Sequence, residues 1–286
     1  MIVIIGLMIV SSAVIGGYLM GHGNLALLVQ PAEFFIIIGA AIGLFLIATP
    51  VTSIKPIISA TVGIFKGSRY SKSDYMEILM LMSQIFYKIR KQGLVAVEED
   101  VDKPKESTIF MQYPKFLNNH HAVDFVTDTL RTVISTTIEP HELEALMDTE
   151  LESYHEEMLM PSKSLANVAD SLPGIGIVAC VLGVVLTMQK IGEPPEVLGH
   201  HIGAALVGTF LGVLLAYGYV GPAAKHMEFM ANEELEYTGV LKVALKSFIS
   251  NNAAPQVAIE FARRVIPDSL RPSFTEVEEA MRLIKK

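Results

Sequence analysis

The 286-residue sequence holds one cysteine, Cys180, inside an apolar run. A disulfide framework within the chain is therefore excluded, as is a zinc site built from cysteines. His141-Glu142 opens like a zincin motif, but no histidine follows at the spacing that motif needs. A basic face is also missing. The chain has 22 Lys and Arg against 30 Asp and Glu, a net charge of −8, which argues against general nucleic-acid binding. The first 49 residues contain no Lys or Arg at all. Lacking a basic leader, and too long for a signal core, residues 2–20 read as a retained first span. No convincing strand, repeat or low-complexity tract is visible.

Charge is scarcest further along. Residues 171–189 and 202–224 contain no Asp, Glu, Lys or Arg, and Lys190, Glu193 and Glu196 sit together in the gap between them. What is present instead is apolar: 51% of the residues are hydrophobic and the mean hydropathy is +0.44. Membrane spans account for that excess. A span takes roughly 20 apolar residues to cross about 30 Å of hydrocarbon. Four stretches qualify: residues 2–20, 34–49 (ended by Pro50), 172–189 and 202–221.

Nearly all Lys and Arg fall in residues 51–170 and after Gly221, with Lys55, Lys66, Arg69, Lys163 and Lys225 close to span ends. The positive-inside rule then places both long segments, and both termini, in the cytoplasm. The expected fold is an all-α integral membrane protein. Residues 1–49 form spans 1 and 2, 50–170 a large helical cytoplasmic insertion, 171–221 spans 3 and 4, and 222–286 a helical cytoplasmic tail.

Within the insertion, Ile78, Leu79, Met82, Ile85, Phe86 and Ile89 recur at helical spacing over residues 74–92. Lys88, Arg90 and Lys91 followed by Gly93 make a coherent stop. Residues 122–136 and 139–160 read as two further helices, with Pro140 in a first turn and Pro161 breaking or kinking the end. In the tail, residues 223–250 run on from span 4, and 256–265 and 273–286 read as shorter helices.

Small residues pattern the spans. Ala204, Gly208, Gly212 and Ala216 recur every four residues in span 4, with Ala205 and Thr209 beside them. Gly176, Cys180 and Gly183 line one face of span 3 in the same way, at spacings of four and three, and Gly39 and Gly43 are four apart in span 2. Such faces let helix backbones approach within lipid, either inside one subunit or against a partner helix. Thr209 is polar and needs a hydrogen-bond partner, which a carbonyl one turn back would supply. Pro173 and Pro222 read as helix-boundary prolines. Asp170 and Glu33 read as solvated residues at span starts. If spans 3 and 4 border an ion pathway, the titrating acid must come from another protein.

The run from Asp170 to Ala179, DSLPGIGIVA, resembles the third-helix signature of the MotA family of flagellar motor stator proteins. The run from Val207 to Gly218, VGTFLGVLLAYG, is similar to the family's fourth helix. Gln30-Pro31-Ala32-Glu33, the stretch Glu142 to Asp148, and Arg271-Pro272-Ser273-Phe274 resemble it too, so the likeness covers nearly the whole chain in order.

The resemblance implies a non-enzymatic ion-channel subunit without a cofactor. It would sit in the inner membrane at the flagellar basal body, forming a pentamer around a dimer of MotB-like, single-span, peptidoglycan-binding partners that supply an essential Asp. It implies an ion pathway at Thr209, Cys180, Tyr217, Pro173, Pro222 and Asp170, and contacts to the rotor protein FliG through Arg90 and Glu98. At the position of Cys180, proton-type members have Ala and sodium-type members Thr. Cys is small and a weak donor, so a proton is the expected ion. The rival readings are an ExbB- or TolQ-like subunit energising outer-membrane processes, a secondary transporter of a small solute, and a non-conducting scaffold. A transporter would carry its own polar residues in its spans.

Overall fold

A computed structural model describes residues 2–67 and 69–284, and every regular element among them is helical. The chain divides into two compact units. One takes residues up to Gly67 together with Met158–Met230, and the other takes the rest. Residues 51–67 and 158–170, which hydropathy assigns to the long insertion, thus pack with the apolar helices.

In the first unit, α1 (Ile2–Met20) leads through a one-turn α2 (Leu25–Leu28) into α3 (Pro31–Ala48). Pro31 stands at the first helical position, where its preset φ helps and its missing N–H costs nothing. The helix therefore begins three residues before the apolar run does, and it takes Glu33 into its first turn. Pro50 ends it, and α4 (Val51–Gly63) follows.

In the second unit, α5 (Lys72–Gln92) opens on a capping box between Ser71 and Asp74 and stops at Gly93, whose φ of +88° suits glycine. Two short helices, α6 (Glu98–Asp102) and α7 (Pro114–Leu117), lead to α8 (His120–Ser135).

The next helix corrects an expectation. Residues 140–160 and the third span do not form separate helices, because α9 runs unbroken from Pro140 to Met188 through Pro161 and Pro173. An interior proline costs about 3 kcal/mol and one backbone hydrogen bond. Packing of the turns around them offsets it. Ser162 Oγ donates to Ala224 O at 2.9 Å, and Ala169, Leu172 and Ala179 are buried.

After a short turn, α10 (Pro195–Leu214) passes into a π-turn over Leu215–Val220 and then α11 (Gly221–Leu245). The Gly221 N–H reaches back five residues to Ala216 O. This wide turn carries the helix up to Pro222, which has no N–H to donate. A second π-turn, Lys246–Ser250, continues the same rod. As the sequence predicts, the tail runs on from the fourth span. Then come α12 (Pro255–Val265) and α13 (Phe274–Ile284); Lys285 and Lys286 of the predicted last helix lie outside the described residues.

By length and composition four helical stretches can cross a membrane: Ile2–Met20, Leu25–Ala48, and parts of Pro140–Met188 and Pro195–Ser250. The first unit has a small core of Ile37, Leu172, Ala179, Leu211 and Ala216. The second is organised by α5, whose Ile78, Leu79, Leu81, Met82, Ile85 and Phe86 are almost fully buried against α8, α12 and residues 235–249.

Candidate functional site

The small-residue faces of α9 and α10 meet each other. A Cβ on Gly176 would lie 2.7 Å from Gly208 O and 3.3 Å from Thr209 Cα, and one on Gly212 would lie 2.6 Å from Leu172 O. Gly183 is equally tight against Ala205, at 2.7 Å. Backbones this close leave no room for a side chain. A Cβ on Gly39 or Gly43 would meet nothing within 4 Å among the described residues.

Three of the predicted pathway residues share this seam. Cys180 and Thr209 are half-buried beside it, with the Cys180 N–H next to Gly208, and Pro173 follows the Leu172 carbonyl that touches Gly212. Thr209 departs from the ordinary outcome. Thr187 and Thr61 hydrogen-bond back to Gly183 O and Ile57 O, each at 2.8 Å, as threonines in apolar helices commonly do. Thr209 Oγ1 makes no hydrogen bond among the described residues.

Tyr217 lies in the π-turn, exposed. It continues an outward apolar row on the same helix, Leu206, Phe210 and Val213. The turn itself is pinned by Tyr219 Oη to Ser11 Oγ on α1 at 2.8 Å. Asp170 and Pro222 are both exposed, and a Cβ on Gly221 would lie 4.0 Å from Ala169 Cβ. Asp170, Pro173 and Pro222 therefore gather at one end of the seam. No sequence signal marked the π-turn or the Ser11–Tyr219 bond.

Glu33 corrects the sequence reading more deeply. It is not a solvated first-turn residue: it is 7% exposed, and its Oε2 has no hydrogen-bond partner. The carboxylate lies across the seam, where a Cβ on Gly208 would be 2.4 Å from Oε2 and one on Gly183 3.2 Å from Oε1. The apolar stretches of α9 and α10, residues 171–189 and 202–214, have no acid of their own, but the bundle has one, brought by α3. The only signal in the sequence was an isolated acid in a stretch of 49 residues without a cation.

In the second unit, Arg90 stands exposed in the last turn of α5, where a cation suits the helix dipole. Its guanidinium donates to Asn252 Oδ1 at 2.9 Å and stacks over the Phe248 ring. Glu98 is exposed at the start of α6 and makes no ion pair among the described residues. Lys88, partly exposed, is paired with Asp100 at 2.6 Å. The deepest charged group is Glu234, fully buried. It accepts hydrogen bonds from Tyr70 Oη at 2.5 Å and Asn119 Nδ2 at 2.8 Å and pairs with Arg69 at 2.9 Å. This network holds α8 and α11 together, and burial beside that carboxylate raises the Tyr70 phenol above its ordinary range.

Comparison with known proteins places this geometry. Residues 4–93 match the family described as motility protein A N-terminal, and residues 118–238 match the MotA/TolQ/ExbB proton channel family. Motility protein A of Salmonella typhimurium and that of Escherichia coli K12 are each 42% identical over 285 residues, covering 100% of this chain and 96% of theirs. The fold is similar to that in the flagellar MotAB stator complex from Bacillus subtilis, with TM-score 0.74 and 21% identity over 94% of this chain and 97% of that one.

Proposed function

The chain belongs to the motility protein A family, the ion-conducting stator subunits of the flagellar motor, and we propose that its conducted ion is a proton, met by a partner's acid beside Thr209. As a stator subunit it forms an ion channel in the membrane with a MotB-type partner and converts ion flow into torque on the rotor. The likeness extends over α1 to α3 as well as the channel pair, which favours this role over a TolQ- or ExbB-like one.

The unpaired Thr209 hydroxyl on the seam carries the proposal. A hydroxyl in hydrocarbon needs a partner, and an aspartate on a MotB-type helix is one. Protonation of that aspartate removes a charge from the apolar interior and release restores it, changing how the helices pack. Sodium would need several hard oxygen ligands, and here the side chains on offer are one hydroxyl, the single carboxylate of Glu33 and a soft thiol, Cys180. One charge crossing 100 mV is worth about 2.3 kcal/mol.

Asp170, at the end of the seam with Pro173 and Pro222, marks the exit. The prolines, set in helices that continue beyond the spans, couple the packing change to the second unit. Arg90 and Glu98 then act on FliG by charge, steering docking rather than binding tightly. The chain works as a pentamer in the inner membrane, with its long connection, tail and both termini in the cytoplasm, and performs no enzymatic reaction.

The test is swimming speed against external sodium at fixed pH, with a protonophore control, for the wild type and for Thr209→Val, Pro173→Ala and Arg90→Glu. Speed independent of sodium and abolished by the protonophore, with all three variants impaired, is expected. Sodium dependence removes the proton assignment, and full swimming of the variants removes their roles.

A further inference from the structure

We propose that Glu33 is a second proton-binding residue of the ion pathway, resident in this chain and additional to the acid a partner supplies. This rests on the reading of the chain as an ion-conducting stator subunit. Glu33 is more than nine-tenths buried, its Oε2 is unpartnered, and it points at the same α9–α10 seam that holds Thr209 and Cys180. Ionisable groups inside a membrane are costly, and where they persist they mark ion and proton routes.

The ordinary reasons for such a residue are absent. An acid at the third helical position commonly reaches back to cap its own helix. Glu33 makes no such bond, and its carboxylate is turned across to another pair of helices. It forms no ion pair among the described residues, and residues 1–49, 171–189 and 202–224 contain no Lys or Arg. The titratable groups on the elements packed against it are few. α3 has no other, α2 has none, and α9 presents Cys180. α10 has only Glu196, His200 and His201, all in its first turns, with His201 bonded to Lys190 at 3.0 Å. Gly208 and Gly183 provide the space: any side chain at either position would displace a carboxylate oxygen.

The Glu33 carboxylate lies against Gly208, and the unpaired hydroxyl is carried by the next residue of α10, Thr209. A proton from water at the N-terminal end of α3 forms an O–H bond at Oε2. Breaking that bond hands the proton to a neighbouring acceptor carboxylate or back to water. The seam glycines thus have a second use beyond close packing, which is to admit this acid.

The experiment uses the two-subunit complex in proteoliposomes, with proton flux followed across a range of pH under an imposed membrane potential. Glu33→Gln, which keeps the shape and removes the titration, is expected to cut flux about tenfold or more, while Glu33→Asp conducts with a displaced pH profile. Wild-type flux and an unchanged profile in Glu33→Gln overturn the inference while leaving the channel itself intact. A wild-type complex with no flux instead removes the channel reading. Should Glu33→Gln fail to assemble, infrared difference spectra of the wild-type complex with carboxyl-labelled glutamate in this chain decide the matter without flux. A label-shifted, non-hydrogen-bonded carboxylic acid band that responds to pH supports the site, and its absence overturns it.

Discussion

Phe86 and Phe35 carry the same ring on the same kind of element, yet one is fully buried and the other is 82% exposed. Phe86 sits on α5 in the second unit, stacked on Phe248 with ring centroids 4.1 Å apart. Phe35 sits on α3 in the first unit and faces outward, as do Ile9, Ile47 and Leu186. Water explains the difference. In the second unit an apolar ring leaves water only by packing on the rest of the protein. In the first, lipid or a neighbouring helix does that work, so the hydrophobic effect does little to hold its helices together. Glycine-to-backbone contacts take over there, which is why the closest approaches between helices are at Gly176, Gly183, Gly208 and Gly212.

The contrast can be broken at its most sensitive point. Gly212→Val puts a side chain onto the Leu172 carbonyl and the Gly176 Cα, and backbone cannot yield cheaply. We expect loss of the assembled complex and of swimming, whereas Gly6→Val, where nothing lies within 4 Å, assembles and swims. Size-exclusion of the complex and a motility plate read both. Equal behaviour would mean that the seam is not what holds the first unit.

A smaller effect separates the two rings. Phe86→Ala is expected to destabilise the second unit by about 3–5 kcal/mol, and Phe35→Ala to change the stability of the first by less than about 0.5 kcal/mol. Pulse proteolysis of the detergent-solubilised complex measures the pair, and similar costs would erase the distinction between a water-driven and a lipid-filled interior.

The smallest effect concerns charge, which the second unit uses freely. Arg263 and Arg264 both bond the Glu260 carboxylate and hold its pKa down at about 2, from an ordinary 4.5. The folded state therefore binds this proton less readily than the unfolded one. The stabilisation is complete above about pH 4.5 and is lost as the pH falls toward 2. Glu260→Gln should flatten that part of the melting-temperature profile, and an unchanged slope would show that the ion pairs contribute nothing there.

Much of this was legible in the residues themselves. Four charge-free apolar runs announced four spans, and the stop of α5 was written as Arg90, Lys91 and Gly93. Span 4 could be seen to run into the tail because no breaker but Pro222 intervenes. Two prolines misled: Pro161 and Pro173 are local helix breakers, and only their surroundings, such as the buried Ser162–Ala224 bond, carry α9 through them. The surroundings of Arg90 and Glu33 were illegible, because each is settled by residues far away in the chain: Arg90 by Asn252, Glu33 by Gly183 and Gly208.

Composition and periodicity alone determined that this is a helical membrane chain, since hydropathy and helical spacing are properties of neighbouring residues. Tertiary structure alone decided which small faces meet, that one threonine stays unpaired, and that the lone acid before the second apolar run turns into the bundle. Burial and hydrogen bonding are made between segments that only folding brings side by side.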